Sequence, residues 1–166
     1  MNENSIVLNH DQIRQKTERI AFEILENTFE DENLFIAGIA GNGHVFAERI
    51  SAELKKHSSQ NITLFEVKVN KKNPLADSIE YAVTSEELKD ATVILVDDVI
   101  NSGITLIHAV SALLNHDLKA LKVATLVNRT HRKFPVKADF VGLNVSTTLQ
   151  DNIMVEFGEK EVAYLS

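Results

Sequence analysis

The chain reads as an α/β domain built on a central, mostly parallel sheet flanked by helices. Three observations in the 166-residue sequence predict it. Val93-Ile94-Leu95-Val96 is a wholly apolar, mostly β-branched run, as a strand buried on both faces of a parallel sheet would be. Leu34 to Ile39 is a second such run. Each of these runs passes through a turn containing glycine into a segment with apolar residues at helical spacing. After Leu34–Ile39 come Val45, Phe46, Ile50 and Leu54; after Val93–Val96 come Leu106, Ile107, Val110, Leu113 and Leu114.

The remaining elements follow in order. Asn9 and Gln12 form an N-cap pair, and Ile13, Ile20, Ile24 and Leu25 then share one face, so residues 10–27 read as a helix covering the sheet. Ile62 to Val69 reads as a strand ending at Lys68, Lys71 and Lys72, ahead of Asn73-Pro74. Those lysines are either a basic surface loop or a source of positive charge for a ligand. Ser78 to Val83 alternates and predicts a small edge strand. Ala120 to Val127 predicts another buried strand, and Ile153 to Phe157 a last one.

Composition narrows the function classes. The length favours one domain over residues 1–166, and 44% hydrophobic residues predict a real core. A net charge of −7 disfavours binding to nucleic acid or membrane through bulk charge. The chain lacks cysteine, so neither disulfides nor thiol chemistry enter. No apolar run reads as a signal peptide or a membrane span, which makes a cytoplasmic protein the expectation. The six histidines are scattered without ligand spacing, so no zinc site is implied.

Chemistry concentrates after the Val93–Val96 run. Asp97 and Asp98 precede Val99-Ile100 and the small polar turn Asn101-Ser102-Gly103-Ile104-Thr105. Such a turn at a helix start leaves backbone N–H groups open, and with the Ser102 and Thr105 hydroxyls they favour a phosphate. Two adjacent acids beside a phosphate are costly unless they bind something else, such as sugar hydroxyls or a divalent cation. A ligand carrying a phosphate, a sugar diol and a metal satisfies all three features. An ordinary αβ unit with a polar turn is the alternative. The earlier turn, Gly38-Ile39-Ala40-Gly41-Asn42-Gly43, matches neither the dinucleotide fingerprint nor a phosphate loop with a Lys-Ser/Thr pair.

The run from Val93 to Thr105 resembles the 5-phosphoribosyl-1-pyrophosphate (PRPP) signature of type I phosphoribosyltransferases. The resemblance implies that fold, with a small hood made from the terminal segments. It implies that Asp97 and Asp98 hold the ribose hydroxyls, and that Asn101, Ser102, Gly103, Ile104 and Thr105 wrap the 5′-phosphate. Ala40, Gly41, Asn42 and Gly43 would form the pyrophosphate loop, with Mg²⁺ held through PRPP rather than directly by the protein. Residues 70–78 would belong to a closing lid. Asn128-Arg129-Thr130-His131-Arg132 and the later Pro135 and Ala138-Asp139-Phe140-Val141-Gly142 narrow the resemblance to the pyrimidine operon attenuation regulator (PyrR) family, which also has uracil phosphoribosyltransferase activity. That implies a base site at Asn128, Phe140 and Val141, with Phe140 either stacking on the base or serving as core. It also implies a homodimer.

Departures from the family bear on activity. Pyrimidine-type relatives carry Lys and Arg where this chain has Ala40 and Asn42, which removes two positive charges where two phosphates should sit. Asn101 stands where 6-oxopurine relatives place a general base, and an amide takes up no proton usefully. The leading reading is therefore transfer of phosphoribosyl from PRPP to a nucleobase, a pyrimidine such as uracil. The alternative is a PRPP or nucleotide sensor with little turnover. A third, an RNA-binding attenuator, would use Arg129, His131, Arg132, Lys133 and Lys137. The net charge and Leu143, usually Lys in that family, disfavour RNA as a partner.

Overall fold

The computed structural model describes residues 5–146, 148 and 151–166. In chain order the elements are β1 (Ile6–Leu8), α1 (His10–Thr28), β2 (Asn33–Ile39), α2 (Asn42–His57), β3 (Asn61–Val67) and α3 (Ser85–Leu88). There follow β4 (Thr92–Ile100), α4 (Ile104–Leu113), β5 (Ala120–Arg129), β6 (Phe140–Val145), β7 (Ile153–Glu156) and β8 (Val162–Leu165). A five-stranded sheet runs in the order β3-β2-β4-β5-β6, and every neighbouring pair in it is parallel. A separate antiparallel sheet, β1-β8-β7, joins the two terminal segments as a hood.

Side-chain alternation splits the core in two. On β2, Leu34 and Ile36 meet α1 and α2 through Ile20, Ile24, Phe46 and Ile50. Phe35, Ala37 and Ile39 point the other way, towards Leu106, Ala109 and Leu113 of α4. Each fully buried Leu, Ile or Phe contributes about 1.5–3 kcal/mol, so helices on both faces follow from strands that are apolar on both. On β4, Ile94 and Val96 share the α1/α2 side, but so does Val99, while Ile100 lies on the α4 side. The alternation therefore slips by one residue across Asp97-Asp98.

The strand order decides where a ligand can sit. After β2 the chain moves outward to β3, and after β4 it moves the opposite way to β5 and β6. The turns after β2 and β4 therefore part and leave a crevice at the carboxyl ends of the strands. Both turns contain a glycine at positive φ acting as a helix N-cap: Gly41 at 91° and Gly103 at 86°. Gly103 is also pressed by the β5–β6 connection, whose Lys133 and Phe134 N–H groups both donate to the Ser102 carbonyl. A Cβ on Gly103 would lie 3.0 Å from Val136 Cγ1 and 3.1 Å from the Phe134 carbonyl oxygen.

Several boundaries differ from the sequence reading. The acids are inside β4, which continues to Ile100, because Asp97 and Val99 still pair with Thr125 and Val127 of β5. The strand expected at 78–83 shrinks to one antiparallel bridge, Lys68 with Glu80. The Asn9–Gln12 capping box is present as expected. A second capping box, Thr84 with Glu87, starts the short helix α3, which the sequence reading left unassigned. No helix among the described residues is long and apolar enough to cross a membrane.

Gly103→Ala should destabilise the fold by about 1–2 kcal/mol for the left-handed backbone alone, with crowding against Phe134 and Val136 adding to it. Urea denaturation of the variant beside the native chain reads the difference.

Candidate functional site

A cleft of about 270 Å³ opens at that crevice. Its floor is the end of β4, from Asp97 to Ile100, and the turn from Asn101 to Gly103. Ile104, Thr105 and Leu106 of α4 continue the same wall. Asn42 enters from the start of α2, Lys71 from the β3–β4 connection, and Ile153, Met154 and Val155 from the hood. Every residue proposed from the sequence for the diol and the 5′-phosphate thus lies on one cleft.

The two helices that point at it lack side-chain caps, so first-turn amides of α2 and α4 remain open towards the ligand side. The Ile104 N–H is an exception, since it donates to Ser102 Oγ at 3.3 Å. In the earlier turn the Ala40 N–H is taken by the Val67 carbonyl at 2.9 Å. The expected cradle of Ala40 to Gly43 therefore shortens to Gly41, Asn42 and Gly43, because Ala40 is spent holding β2 to β3.

Asp97 is the most constrained group here. It is 6% exposed, and its Oδ1 accepts the Asp98 N–H at 3.0 Å. Gly43 makes room for it, as a Cβ there would stand 2.8 Å from Asp97 Oδ1. Burial, then the neighbouring Asp98 charge and hydrogen bond, hold the Asp97 carboxyl well above the ordinary carboxylate range; the Lys71 charge opposes them. Asp98 is half-buried, and its carbonyl accepts the Thr125 hydroxyl at 3.1 Å. Lys71 Nζ lies 3.9 Å from where a Gly41 Cβ would be. Of the lysine cluster, Lys71 is thus an exposed cation beside the glycine turn.

The base residues are not brought to the cleft. Phe140 is 4% exposed and packed in the cluster with Val99, Val127, Ile153 and Val155. Its ring is buried, so the free face that stacking requires is absent in this arrangement. The Asn128 amide is spent at both ends, donating to Asn144 Oδ1 at 2.8 Å and accepting from Arg132 Nη2 at 2.8 Å. The Val141 carbonyl accepts from Arg19 Nη2 at 3.1 Å. The basic patch is also thinner than its sequence suggests. Arg132 turns inward to Asn128 and to the Val136 carbonyl. Arg129 is buried and donates to the Thr148 carbonyl at 3.0 Å. His131, Lys133 and Lys137 are left exposed.

Sequence reasoning missed the hood's part in the site. Ile153 to Phe157 announces a strand, but nothing in its pattern says that it walls the cleft.

The comparisons with known proteins agree with this geometry. The family model described as the phosphoribosyl transferase domain matches residues 3–161. A curated protein of Fusobacterium nucleatum named bifunctional protein PyrR is 32% identical over 96% of this chain and 97% of its own length. The Bacillus subtilis protein of the same name is 29% identical over 96% of this chain and 93% of its own. Among solved structures, a hypoxanthine-guanine phosphoribosyltransferase of Bacillus anthracis has a TM-score of 0.69 at 23% identity, over 88% of this chain and 85% of that one. A hypoxanthine phosphoribosyltransferase of Staphylococcus aureus has a TM-score of 0.71 at 14% identity, over 85% of this chain and 77% of that one. At such identities these two structures speak for the fold.

The raised Asp97 ionisation gives a pH prediction. The folded chain keeps a proton that the unfolded chain releases in the ordinary carboxylate range, near pH 4. Stability therefore falls as pH rises from that range through the raised value. Asp97→Asn escapes this loss, so its melting temperature should exceed that of the native chain at neutral pH, with the gap closing as pH falls towards about 4. Thermal melts across pH check it; a gap that widens on acidification would refute the assignment.

Proposed function

The chain belongs to the phosphoribosyl transferase domain family, and from that premise we propose that it binds PRPP in this cleft and transfers the 5-phosphoribosyl group to a pyrimidine base such as uracil, releasing pyrophosphate. The observation that carries the reading is the convergence of an acid pair, two uncapped helix starts and one lysine on a single cleft. The open amides of α4, with the Thr105 hydroxyl, bind the 5′-phosphate. Asp97 and Asp98 orient the ribose diol. Gly41, Asn42, Gly43 and Lys71 face the pyrophosphate.

In the reaction the bond from ribose C1 to the pyrophosphate oxygen breaks, and a bond from C1 to a base nitrogen forms. The electron pair leaves with pyrophosphate, and the nitrogen's proton passes to solvent, because Asn101 offers no basic group. Much of the rate then comes from positioning and from charges already aimed at the leaving group. The donor set suits Mg²⁺ carried by the substrate: burial, and then the Asp98 charge, raise the ionisation of Asp97, and a nearby cation would oppose both. Bound there, the ion would neutralise charge on the diphosphate, with Asp97 and Asp98 as the protein groups beside it. On the family resemblance, the reading extends to a cytoplasmic homodimer, with the base read by Asn128, Phe140 and Val141.

One observation favours a second reading, a PRPP- or nucleotide-sensing regulator with little turnover. The glycine turn carries Ala40 and Asn42, and the Asn42 amide is engaged by the hood. The inward turn of Arg129 and Arg132 weakens the RNA-binding version of that reading.

Calorimetry with PRPP and Mg²⁺, followed by pyrophosphate release with uracil, hypoxanthine, guanine and xanthine, decides between them. We expect binding, and release with uracil. Binding without release for any base would establish the sensor. Lys71→Ala should weaken PRPP about tenfold, the scale of one charged hydrogen bond, and change ribose 5-phosphate binding much less. Equal losses for both ligands would remove Lys71 from the pyrophosphate.

A further inference from the structure

Two asparagines stand where the cleft meets the hood, and both are engaged with the backbone of β7. Asn42 Nδ2 donates to the Val155 carbonyl at 2.7 Å. Asn101 Nδ2 donates to the Ile153 carbonyl at 3.4 Å, and its Oδ1 accepts the Ile153 N–H at 3.3 Å. An amide carries a donor and an acceptor in one plane, so Asn101 can pair with a peptide unit as a neighbouring strand would. Neither a carboxylate nor an ammonium can make both contacts. The two residues arise from the two turns that build the cleft, one on each side of the switch point, and both grip the same short strand.

That strand serves the core and the cleft at once. Ile153 and Val155 are 1% and 3% exposed and share a cluster with Val99, Val127 and Phe140. The same strand walls the cleft. Ile153 and Val155 therefore belong both to the cleft wall and to the cluster that buries Phe140, one of the residues proposed for the base. What stays open, about 270 Å³, lies below the roughly 300–1,000 Å³ of drug-sized ligand pockets.

We infer that Asn42 and Asn101 form a latch that shuts the terminal hood over the nucleobase half of the cleft, so that the closed chain accepts a phosphorylated pentose and takes a base-bearing ligand only after both contacts break. The inference rests on the reading of the cleft as a phosphoribosyl site, and it adds a gate to that site. The Asn101 contacts are near the outer limit of hydrogen-bond length, which makes the gate reversible. A ligand that needs the open form binds with an apparent affinity reduced by the fraction of chains that are open. Ribose 5-phosphate escapes that penalty, and uridine 5′-monophosphate bears all of it.

The test pairs amide exchange with two titrations of the full chain. In the double variant Asn42→Ala, Asn101→Ala, exchange at Ile153 to Glu156 should rise about tenfold or more over the native chain, with the β2 amides unchanged, because local opening sets that rate. Ribose 5-phosphate and uridine 5′-monophosphate are then titrated into both proteins with Mg²⁺. The ratio of their Kd values should shift about tenfold or more in favour of the nucleotide, and the ratio cancels damage to the shared phosphate cradle. Unchanged exchange at β7, or an unchanged ratio, overturns the latch. If neither ligand binds the native chain, the phosphoribosyl reading fails, and exchange alone then decides whether the latch exists. Asn101→Asp keeps the acceptor for the Ile153 N–H and loses the donor to its carbonyl. It should show a smaller rise at the same amides and serves if the double variant does not fold; no rise there also overturns the latch.

Discussion

A carboxylate buried at the end of the central strand sets the terms for everything near it. Asp97 lies between the first turn of α2 and its own neighbour Asp98, almost without exposure. A buried acid beside another acid is unfavourable unless something offsets it. Here the offsets are geometric. Gly43 lets the positive end of α2 come within contact distance. The Asp98 N–H donates to Oδ1, and Lys71 adds a distant positive charge. The slip in side-chain alternation across residues 97 and 98 belongs to the same compromise. It allows Asp97 to stay inside while the apolar residues on either side of the pair remain in the core. The strain is local, and the parallel sheet around it is regular.

Around that acid the chain uses neutral amides where charges would be the obvious choice for binding phosphates. Asn42, Asn101 and Asn128 each satisfy a partner inside the protein. A lysine or arginine at these places would gain attraction for a phosphorylated ligand, but it would leave hood and strand contacts unmade. An amide reverses that balance: weak for anions, well suited to a peptide edge. The cleft that results is lined by apolar side chains on the hood side and by charged ones on the sugar side. Its only cation among the residues that line it, Lys71, comes from the connection after β3 rather than from the glycine turn.

Much of this was legible before any coordinates. The β-branched run before Asp97, the repeated passage from strand through glycine to helix, and the Asn9–Gln12 cap all reappear where their local physics requires. The residues from Asp97 to Thr105 share one cleft because they are consecutive, and a strand–turn–helix unit has little freedom in how it presents them. The alternating stretch from Ser78 to Val83 misled because alternation pays no regard to whether a partner edge is near; only Glu80 finds one. The capping box at Thr84 is equally local, a threonine three residues ahead of Glu87.

The sequence by itself determined the strands, the helices and the phosphate turn, because those depend on side-chain period, β-branching and a glycine at positive φ, all short-range properties. The tertiary structure alone decided that Phe140 and β7 are buried in one cluster, that the Asn128 amide is spent, and that Lys71 reaches the cleft. These are encounters between segments far apart in the chain. Whether an amide or a ring faces a ligand or a neighbouring strand is settled by which distant backbone arrives beside it.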